Sequence, residues 1–394
     1  MLKNIDKKYV LNVYQRNYVN FKRGKNSTLF DDKGRDYIDF TSGIGVTSVG
    51  HSNTRLSNAI SEQVNRLIHT SNLYLIEPQA KLAKKIAELC GQDVGIFFAN
   101  SGAEANEGAI KLARKYGEKK FENKHYKIIT LEHSFHGRTL ATLKATGQKS
   151  FHKSDFAPYL DGFSYVQNID DIYCAIDDKT VAIMIELVQG EGGVQQFNKN
   201  EIQKLAKYLK DKKILLIVDE VQTGVYRTGE FLASNLYNIK PDIITLAKGL
   251  ASGVPIGAVL TTHKDLLEVG DHGSTFGGNF LSTRASLEVL SILESYKNSG
   301  ELDEICIYFE TKLKELLLEF PKIFKKIVGL GLMRGLRCFN TVDLTLLIDN
   351  AFKQGVLVLK SQRDTLRFLP ALTITKIEVD EGFKRLKNAF SKVS

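Results

Sequence analysis

Cysteine is scarce in this chain of 394 residues, and its four cysteines are far apart. They are Cys90, Cys174, Cys306 and Cys338, and no two of them form a CxxC pair. This spacing predicts neither a metal knuckle nor a framework of disulfide bonds. We therefore expect no metal site and a protein that works in a reducing compartment.

Long apolar runs are also missing. The first seven residues contain no apolar signal core. No later stretch approaches the roughly 18 uninterrupted apolar residues that a membrane-spanning helix needs. The sequence therefore predicts a soluble, cytoplasmic protein without a membrane partner.

A compact basic block is absent as well, although the net charge is +9. The lysines are spread along predicted helices, as at Lys81, Lys84, Lys85 and Lys111. Nucleic-acid-binding proteins usually concentrate their basic residues on one face, so we expect no nucleic-acid partner. The hydrophobic fraction of 43% and the charged fraction of 25% exclude a disordered or fibrous chain.

The middle of the chain alternates short apolar runs with amphipathic segments. This alternation is typical of repeated βα units, which form a mostly parallel sheet covered by helices. The predicted strands are residues 94–99, 127–131, 181–188, 214–218, 242–246 and 256–261. Ile202, Leu205, Ala206 and Leu209 have helical spacing and predict a helix between two of these strands. We expect an α/β fold.

The pattern changes after about Leu290. Helical stretches at 302–318 and 343–354 alternate there with short strands at 355–359 and 366–369, which predicts a smaller α+β domain. A hairpin with its turn at Lys33-Gly34 precedes the large domain. The predicted division is an N-terminal segment joining the small domain (1–48), a large domain (49–290) and a C-terminal small domain (291–394).

Asp219 and Lys248 each stand where a predicted buried strand runs out into a loop. Either residue alone could be a loop cap or a solvated strand end. A lysine in an apolar run is costly, however, unless it is neutral or covalently engaged. An aspartate beside a pyridinium nitrogen and a lysine that forms a Schiff base are the two groups that a pyridoxal phosphate enzyme most needs.

Two loops offer closely approachable backbone. Ser101-Gly102-Ala103 lies between a predicted strand and a helix, where free N–H groups and the positive end of the helix dipole favour a phosphate. Thr275 lies in a second loop rich in glycine and hydroxyl groups.

Three further side chains suit the recognition of an aromatic ring or a carboxylate, and a fourth is a candidate partner for one of them. Phe135 offers a flat face, and Arg138 offers a guanidinium fork. Arg367 lies between Leu366 and Phe368, and a guanidinium with apolar neighbours usually has an anionic partner. Glu191, just past another strand end, is a candidate for that partner when no substrate is present.

Together these segments resemble the class III, fold-type I pyridoxal phosphate aminotransferases, and most closely the acetylornithine aminotransferase branch. The resemblance runs from Tyr14 to Arg367. Its motifs, in family order, are Ser-Gly-Ala-Glu-Ala (101–105), Phe-His-Gly-Arg-Thr (135–139), Gln-Gly-Glu-Gly-Gly (189–193), Asp-Glu-Val-Gln-Thr-Gly (219–224), Ala-Lys-Gly (247–249) and Ser-Thr-Phe-Gly-Gly-Asn (274–279).

The resemblance implies that pyridoxal 5'-phosphate is the cofactor and assigns its contacts. Lys248 would form the covalent link to the cofactor and carry protons, while Asp219 would keep the ring nitrogen protonated. The remaining implied contacts are Val221 and Phe135 against the ring, Gln222 at its phenolic oxygen, Ser101, Gly102 and Ala103 at the phosphate, and Thr275 from the neighbouring subunit. A homodimer with shared active sites is therefore expected.

The resemblance also implies how substrates are chosen. Glutamate or 2-oxoglutarate would use both Arg138 and Arg367, whereas N-acetylornithine would use Arg138 while Glu191 neutralises Arg367. Tyr14 is assigned to substrate binding on the same ground.

Two residues depart from patterns seen among relatives. Ile44 stands where ornithine aminotransferases usually carry tyrosine, which favours an acylated amine over free ornithine. Leu187 replaces a proline found in many relatives and bears on strand rigidity more than on chemistry.

Alternative functions remain open on this scaffold. One is the use of N-succinyldiaminopimelate beside N-acetylornithine. Others are an ornithine or 4-aminobutyrate aminotransferase, or an aminomutase of the glutamate-semialdehyde type, which needs no second substrate. A non-catalytic binding or regulatory protein is the last, and the intact Asp219 and Lys248 argue against it.

Overall fold

A computed structural model describes residues 2–122 and 124–392. Its helices are α1 (Leu2–Tyr9), α2 (Ser42–Gly45), α3 (Thr54–Arg66), α4 (Glu77–Cys90), α5 (Gly102–Lys120), α6 (Leu140–Ala145), α7 (Ile169–Ala175), α8 (Lys199–Lys212), α9 (Ala233–Leu236), α10 (Phe280–Asn298), α11 (Glu301–Glu319), α12 (Leu344–Lys353) and α13 (Lys376–Phe390). Its strands are β1 (Phe21–Lys25), β2 (Thr28–Asp31), β3 (Asp36–Asp39), β4 (Gly95–Ala99), β5 (Lys127–Leu131), β6 (Phe163–Val166), β7 (Thr180–Ile185), β8 (Val188–Gln189), β9 (Gln195–Gln196), β10 (Leu215–Asp219), β11 (Ile243–Leu246), β12 (Gly257–Thr261), β13 (Phe324–Leu330), β14 (Met333–Cys338), β15 (Val356–Leu357), β16 (Leu359–Ser361) and β17 (Thr365–Phe368).

The large sheet contains seven strands in the order β4-β12-β11-β10-β7-β5-β6. The strands from β11 to β6 pair in parallel, whereas β12 runs antiparallel to both β11 and β4. Because β12 reverses direction on both sides, β4 points the same way as β11. Every strand of this sheet except β12 therefore has its carboxyl end at the same edge, where ligands bind in open α/β sheets.

Helices cover both faces of this sheet, as the apolar pattern predicts. Along β10, Leu215 and Ile217 face the cluster that includes α5, while Leu216 and Val218 face the cluster that includes α8. The predicted helix around Ile202 is α8, which buries its apolar stripe against the second face. The α/β fold with a mostly parallel sheet is confirmed.

Two four-stranded sheets and a short hairpin complete the fold. One sheet has the order β13-β14-β17-β16, and the other has the order β1-β2-β3-β15. Strand β15 pairs with β3, so the N-terminal segment and the C-terminal region share a sheet. Residue 290 lies inside α10, and the division at residues 48 and 290 stays a prediction.

Two predicted strands are each divided in the structure. The run 181–188 ends its sheet pairing at Ile185, and Val188 instead begins the hairpin β8–β9. The run 355–359 changes sheets at Val358, because β15 pairs with β3 and β16 pairs with β17. Both runs look continuous in the sequence because Leu187 and Val358 are apolar. In the structure these two residues are buried but lie outside the strand pairing.

No helix within residues 2–122 and 124–392 is long and apolar enough to cross a membrane.

Glu220 ties the end of β10 to α9. Its buried carboxylate accepts hydrogen bonds from the backbone N–H groups of Ala233, at 2.7 Å, and Ser234, at 2.8 Å. The hydroxyls of Ser234 and Thr223 donate to it at 2.6 and 3.0 Å. This carboxylate satisfies the first amides of a helix that has no side-chain cap from its own N-cap residue.

We expect Glu220→Ala to lower the free energy of unfolding by about 3 kcal/mol, because it leaves several buried donors without an acceptor. Glu220→Gln should lower the free energy of unfolding by less, since one oxygen remains to accept hydrogen bonds. Urea unfolding followed by circular dichroism measures both changes, with Glu62→Ala on the exposed face of α3 as the control. Equal midpoints for Glu220→Ala and Glu62→Ala would show that Glu220 does not stabilise the fold.

Candidate active site

A cavity of about 420 Å³ lies at the edge where the parallel strands end. This volume is in the range of small-molecule sites. The residues predicted to bind a cofactor that line this cavity are Ser101, Gly102, Ala103, Phe135, Asp219, Val221, Gln222 and Lys248. The loops after β4, β5, β7 and β11 and the last residue of β10 supply most of its wall.

Asp219 is held in one orientation by buried neighbours. Its Oδ2 accepts a hydrogen bond from Asn106 Nδ2 at 2.8 Å and lies 2.8 Å from Nδ1 of His136. Its Oδ1 accepts the backbone N–H of Val221 at 3.0 Å. Asn106 is fixed in turn, since its Oδ1 accepts the Thr245 hydroxyl at 2.7 Å. A fixed carboxylate at this place can hold a proton on a facing basic nitrogen.

Glu186 brings a second carboxyl group to the same place. It follows β7, which pairs with β10, so it lies beside Asp219 in the cavity wall. Desolvation by burial raises the pKa of Glu186 well above its ordinary value, and the charge of Asp219 raises it further. Glu186 Oε2 has no hydrogen-bond partner within the described residues. A neutral Glu186 beside an ionised Asp219 avoids two adjacent buried charges.

Lys248 begins a short 3₁₀ turn directly after β11. Its φ of 43° is in the left-handed region, which is uncommon for non-glycine residues. Desolvation by burial lowers the pKa of Lys248, and the carboxylate of Glu191 acts in the opposite direction. A lowered pKa increases the fraction of neutral amine, which is the nucleophilic form.

The N-terminus of α5 fits a phosphate group. Ser101 is the N-cap, and its hydroxyl accepts the Glu104 N–H at 3.2 Å, so the amides of Gly102 and Ala103 remain at the open end of a long helix. A Cβ at Gly102 would lie 2.6 Å from Val221 Cγ1, which explains why glycine is needed here. With Phe135 and Val221 also in the wall, these residues fit a phosphorylated aromatic cofactor.

The two predicted substrate arginines have different surroundings. Arg138 is exposed and lies over the ring of Phe151 at 4.1 Å, and no carboxylate within the described residues forms an ion pair with it. Arg367 is buried, and its guanidinium lies 2.6 Å from Oε1 of Glu191. It also reaches Gln222 Oε1 at 3.4 Å, which places the ion pair next to the cavity.

Ile44 lies in α2, which is a single left-handed turn and not a regular right-handed helix. Ser42, Gly43, Ile44 and Gly45 all have positive φ angles, of 41°, 64°, 66° and 75°. A β-branched residue is strained in this region, so the surrounding structure must impose the conformation. The Asp39 carboxylate accepts the Ser42 N–H at 3.0 Å, and the Ser42 hydroxyl donates to a carbonyl at the end of β17. The turn presents Ile44 as an exposed apolar side chain two residues before Val46, which lines the cavity.

Two predicted site residues lie apart from the cavity in a single chain. Thr275 is exposed, and Tyr14 is 67% exposed in a segment without regular structure. Their roles stay predictions. Leu187 is fully buried, and its carbonyl accepts the Tyr237 hydroxyl at 3.2 Å.

Sequence reasoning missed Asn106, Glu186 and Thr245, and it gave His136 no role. Asn106 left one detectable signal. It lies on the same face of α5 as Ala109 and Ala113, where a polar side chain must be buried. Glu186 gave a signal of the same kind, a carboxyl group inside an apparently continuous apolar strand, which sequence reasoning did not use.

Comparison with known proteins agrees with this geometry. The sequence profile of the family described as aminotransferase class-III matches residues 10–390. The chain is 59% identical to the acetylornithine aminotransferase of Wolinella succinogenes, covering 99% of both chains. It is 45% identical to the Aquifex aeolicus acetylornithine aminotransferase, covering 96% of this chain and 99% of that one.

Solved structures show the same fold. The ornithine aminotransferase of Toxoplasma gondii aligns with a TM-score of 0.93 at 30% identity, covering 100% of this chain and 94% of that one. A further structure of that enzyme is described with partial occupancy of pyridoxal phosphate at its active site. The N-acetylornithine aminotransferase of Stenotrophomonas maltophilia aligns with a TM-score of 0.84 at 31% identity, covering 99% of this chain and 98% of that one.

We expect Asn106→Ala to lower the turnover rate about tenfold, because Asp219 loses the amide that orients it. Asp219→Ala should lower it much further. Steady-state kinetics at saturating cofactor measures both. The matched control is Asn198→Ala, which removes an asparagine with two hydrogen bonds at the start of α8. A turnover rate for Asn106→Ala equal to that of the control would exclude the orienting role.

Proposed function

The chain belongs to the class-III aminotransferases, and from that premise we propose that it transfers the distal amine of N2-acetylornithine to 2-oxoglutarate. The products are N-acetylglutamate 5-semialdehyde and glutamate, which places the reaction in arginine biosynthesis. The observation that carries this proposal is the contrast between an unpaired Arg138 and an Arg367 that Glu191 neutralises at 2.6 Å. The close relatives named for acetylornithine support it.

The enzyme depends on pyridoxal phosphate, which supplies an aldehyde for the amino group and a ring that accepts electrons from the substrate carbon. Asp219, in its fixed orientation, would hold a proton at the ring nitrogen. Lys248 would supply the amine that holds the cofactor and would carry the proton to and from the substrate carbon. Ser101, Gly102 and Ala103 would bind the phosphate, while Phe135 and Val221 would hold the ring and Gln222 would bind its phenolic oxygen.

The two arginines explain how one cavity accepts two unlike substrates. Glutamate and 2-oxoglutarate carry two carboxylates, and each binds both Arg138 and Arg367 once Glu191 has turned away. N-acetylornithine has one carboxylate, which binds Arg138. Glu191 then stays on Arg367, because a buried guanidinium without a partner is strongly unfavourable.

Ile44 favours the acylated substrate. The acyl-bearing nitrogen of N-acetylornithine carries no charge and can lie against an apolar side chain. The corresponding ammonium of ornithine would lose its water there without gaining a partner.

We expect kcat/KM for N-acetylornithine to exceed that for ornithine by about 100-fold, with 2-oxoglutarate as acceptor. Ile44→Tyr should narrow this ratio, because its hydroxyl offers an acceptor to the free amine and tyrosine is not β-branched. Ile377→Tyr, on the exposed side of α13, serves as the control. Equal activity of the unmodified enzyme on both amines would refute the acyl preference. Activity without 2-oxoglutarate would favour an aminomutase.

We also infer that the enzyme is a cytoplasmic homodimer with shared active sites. Leu73, Tyr74 and Leu75 are 87%, 69% and 99% exposed, more than apolar residues in a monomer usually are. They adjoin the Thr275 loop, because Asn72 donates hydrogen bonds to two carbonyls of that loop. A second subunit covering this surface would bring its own Thr275 to the phosphate site of this chain. The cysteines are all free, as in a reducing compartment.

Mixing two inactive variants tests the shared site. Lys248→Ala subunits combined with Thr275→Asp subunits should regain part of the activity, because each mixed dimer gains one site with both native residues. Lys248→Ala combined with Asp219→Ala should regain none, since no site in that mixture is complete. Activity is measured after co-refolding and compared with each variant alone. Equal results for the two mixtures, or a fully active monomer in sedimentation, would exclude sharing through Thr275.

A further inference from the structure

The loop 190–193, which carries Glu191, is bound along its whole length to the β13–β14–β17–β16 sheet. The carbonyls of Gly190 and Glu191 lie 2.8 and 2.9 Å from the hydroxyl of Ser361. Side chains of Arg363 and Arg337 donate to the carbonyls of Gly192 and Gly193, both at 2.9 Å. All four carbonyls of the loop therefore accept hydrogen bonds from residues that follow β13 in the chain.

Ser361 is the centre of this attachment. It is 4% exposed, and its hydroxyl also accepts the N–H of Gly193 at 2.9 Å. A hydroxyl has one proton, which it must share between the carbonyls of Gly190 and Glu191. The backbone N–H of Gln362 adds a bond to the Glu191 carbonyl at 3.1 Å.

The loop also has little room to move. A Cβ at Gly190 would lie 2.1 Å from Gln222 Oε1, so its backbone presses directly against that side chain. Gly193 has a φ of 96°, and a Cβ there would lie 2.7 Å from the Gln362 carbonyl oxygen. The loop is thus packed between a cavity residue on one side and the Ser361 turn on the other.

Arg367 belongs to the same sheet. It lies on β17 opposite Leu359 of β16, and Ser361 is at the end of that strand, opposite Thr365. The sheet that carries the guanidinium therefore also fixes the peptide that carries its carboxylate partner. Any displacement of this sheet would move Arg367 and the Glu191 backbone together, so as long as the loop stays attached the ion pair can open only by rotation of the Glu191 side chain.

We propose that Ser361 is a positioning residue for Glu191, which holds the ion pair with Arg367 closed and so sets the balance between the two half-reactions. This inference rests on the proposed function, in which the closed pair accepts an amine with one carboxylate and the open pair accepts 2-oxoglutarate. A looser loop lets Glu191 leave Arg367 more often. Loosening it should therefore impair the amine half-reaction and spare the 2-oxoglutarate half-reaction.

The test measures the two half-reactions of the holoenzyme separately, by single-turnover spectroscopy of the bound cofactor. Ser361→Ala should raise the apparent dissociation constant for N-acetylornithine about three- to tenfold, the effect of one buried hydrogen bond, and leave that for 2-oxoglutarate within about twofold. Ser361→Thr keeps the hydroxyl and should restore the ratio of the two constants. The matched control is Thr180→Ala, which loses a buried hydroxyl that donates to Asp177 Oδ1 at 2.8 Å at the start of β7, on the edge of the large sheet opposite the cavity.

A double-mutant cycle separates positioning from general damage. In a Glu191→Ala background, Ser361→Ala should not change the ratio of the two dissociation constants further, because the carboxylate that Ser361 positions is gone. An equal loss in both half-reactions, or the same ratio change with and without Glu191, would overturn the inference. The proposed function is tested separately, by whether the unmodified enzyme turns over N-acetylornithine. If it prefers another amine with one carboxylate, the Ser361 variants are compared on that amine instead.

Discussion

The arrangement of the cavity wall depends on holding one buried carboxylate, that of Asp219, in a single orientation. Asn106 and His136 each contact the same oxygen of Asp219 at 2.8 Å, so fixed polar groups of the protein solvate this oxygen. Asn106 lies one helical turn after Gly102 on α5. One helix therefore connects the free amides at one end of the cavity to the asparagine that holds Asp219 at the other, so the two ends cannot shift independently.

The second constraint is a guanidinium that is almost fully buried. Arg367 is 2% exposed, and a bare charge at that depth would be strongly unfavourable. Glu191 removes this penalty within the chain, whereas Arg138 lies at the surface against aromatic rings and has no carboxylate partner among the described residues. The two arginines thus differ in their surroundings, and the proposed choice between substrates with one carboxylate and those with two rests on this difference.

Residues whose chemistry is visible at strand ends could be predicted from the sequence. Asp219 and Lys248 interrupt apolar runs, and the apolar periodicity around them was enough to predict the sheet and its covering helices. Glu186 was taken as part of a strand because the apolar Leu187 and Val188 continue the run, although the pairing of β7 ends at Ile185. Ser361 acts mainly on backbone carbonyls, which every residue has, so its partners leave no trace in the sequence. Thr275 does not line the cavity of a single chain, so its role at the phosphate stays a prediction.

The left-handed turn at residues 42–45 has an evolutionary consequence. Its backbone is fixed from outside, by Asp39 and by the carbonyl at the end of β17, and the Ile44 side chain contributes little to that restraint. Exchanging this side chain changes the surface that the turn presents two residues before Val46, while Asp219, Lys248 and the α5 N-terminus keep their places. The identity of residue 44 can therefore change in evolution while the buried residues of the cavity stay the same.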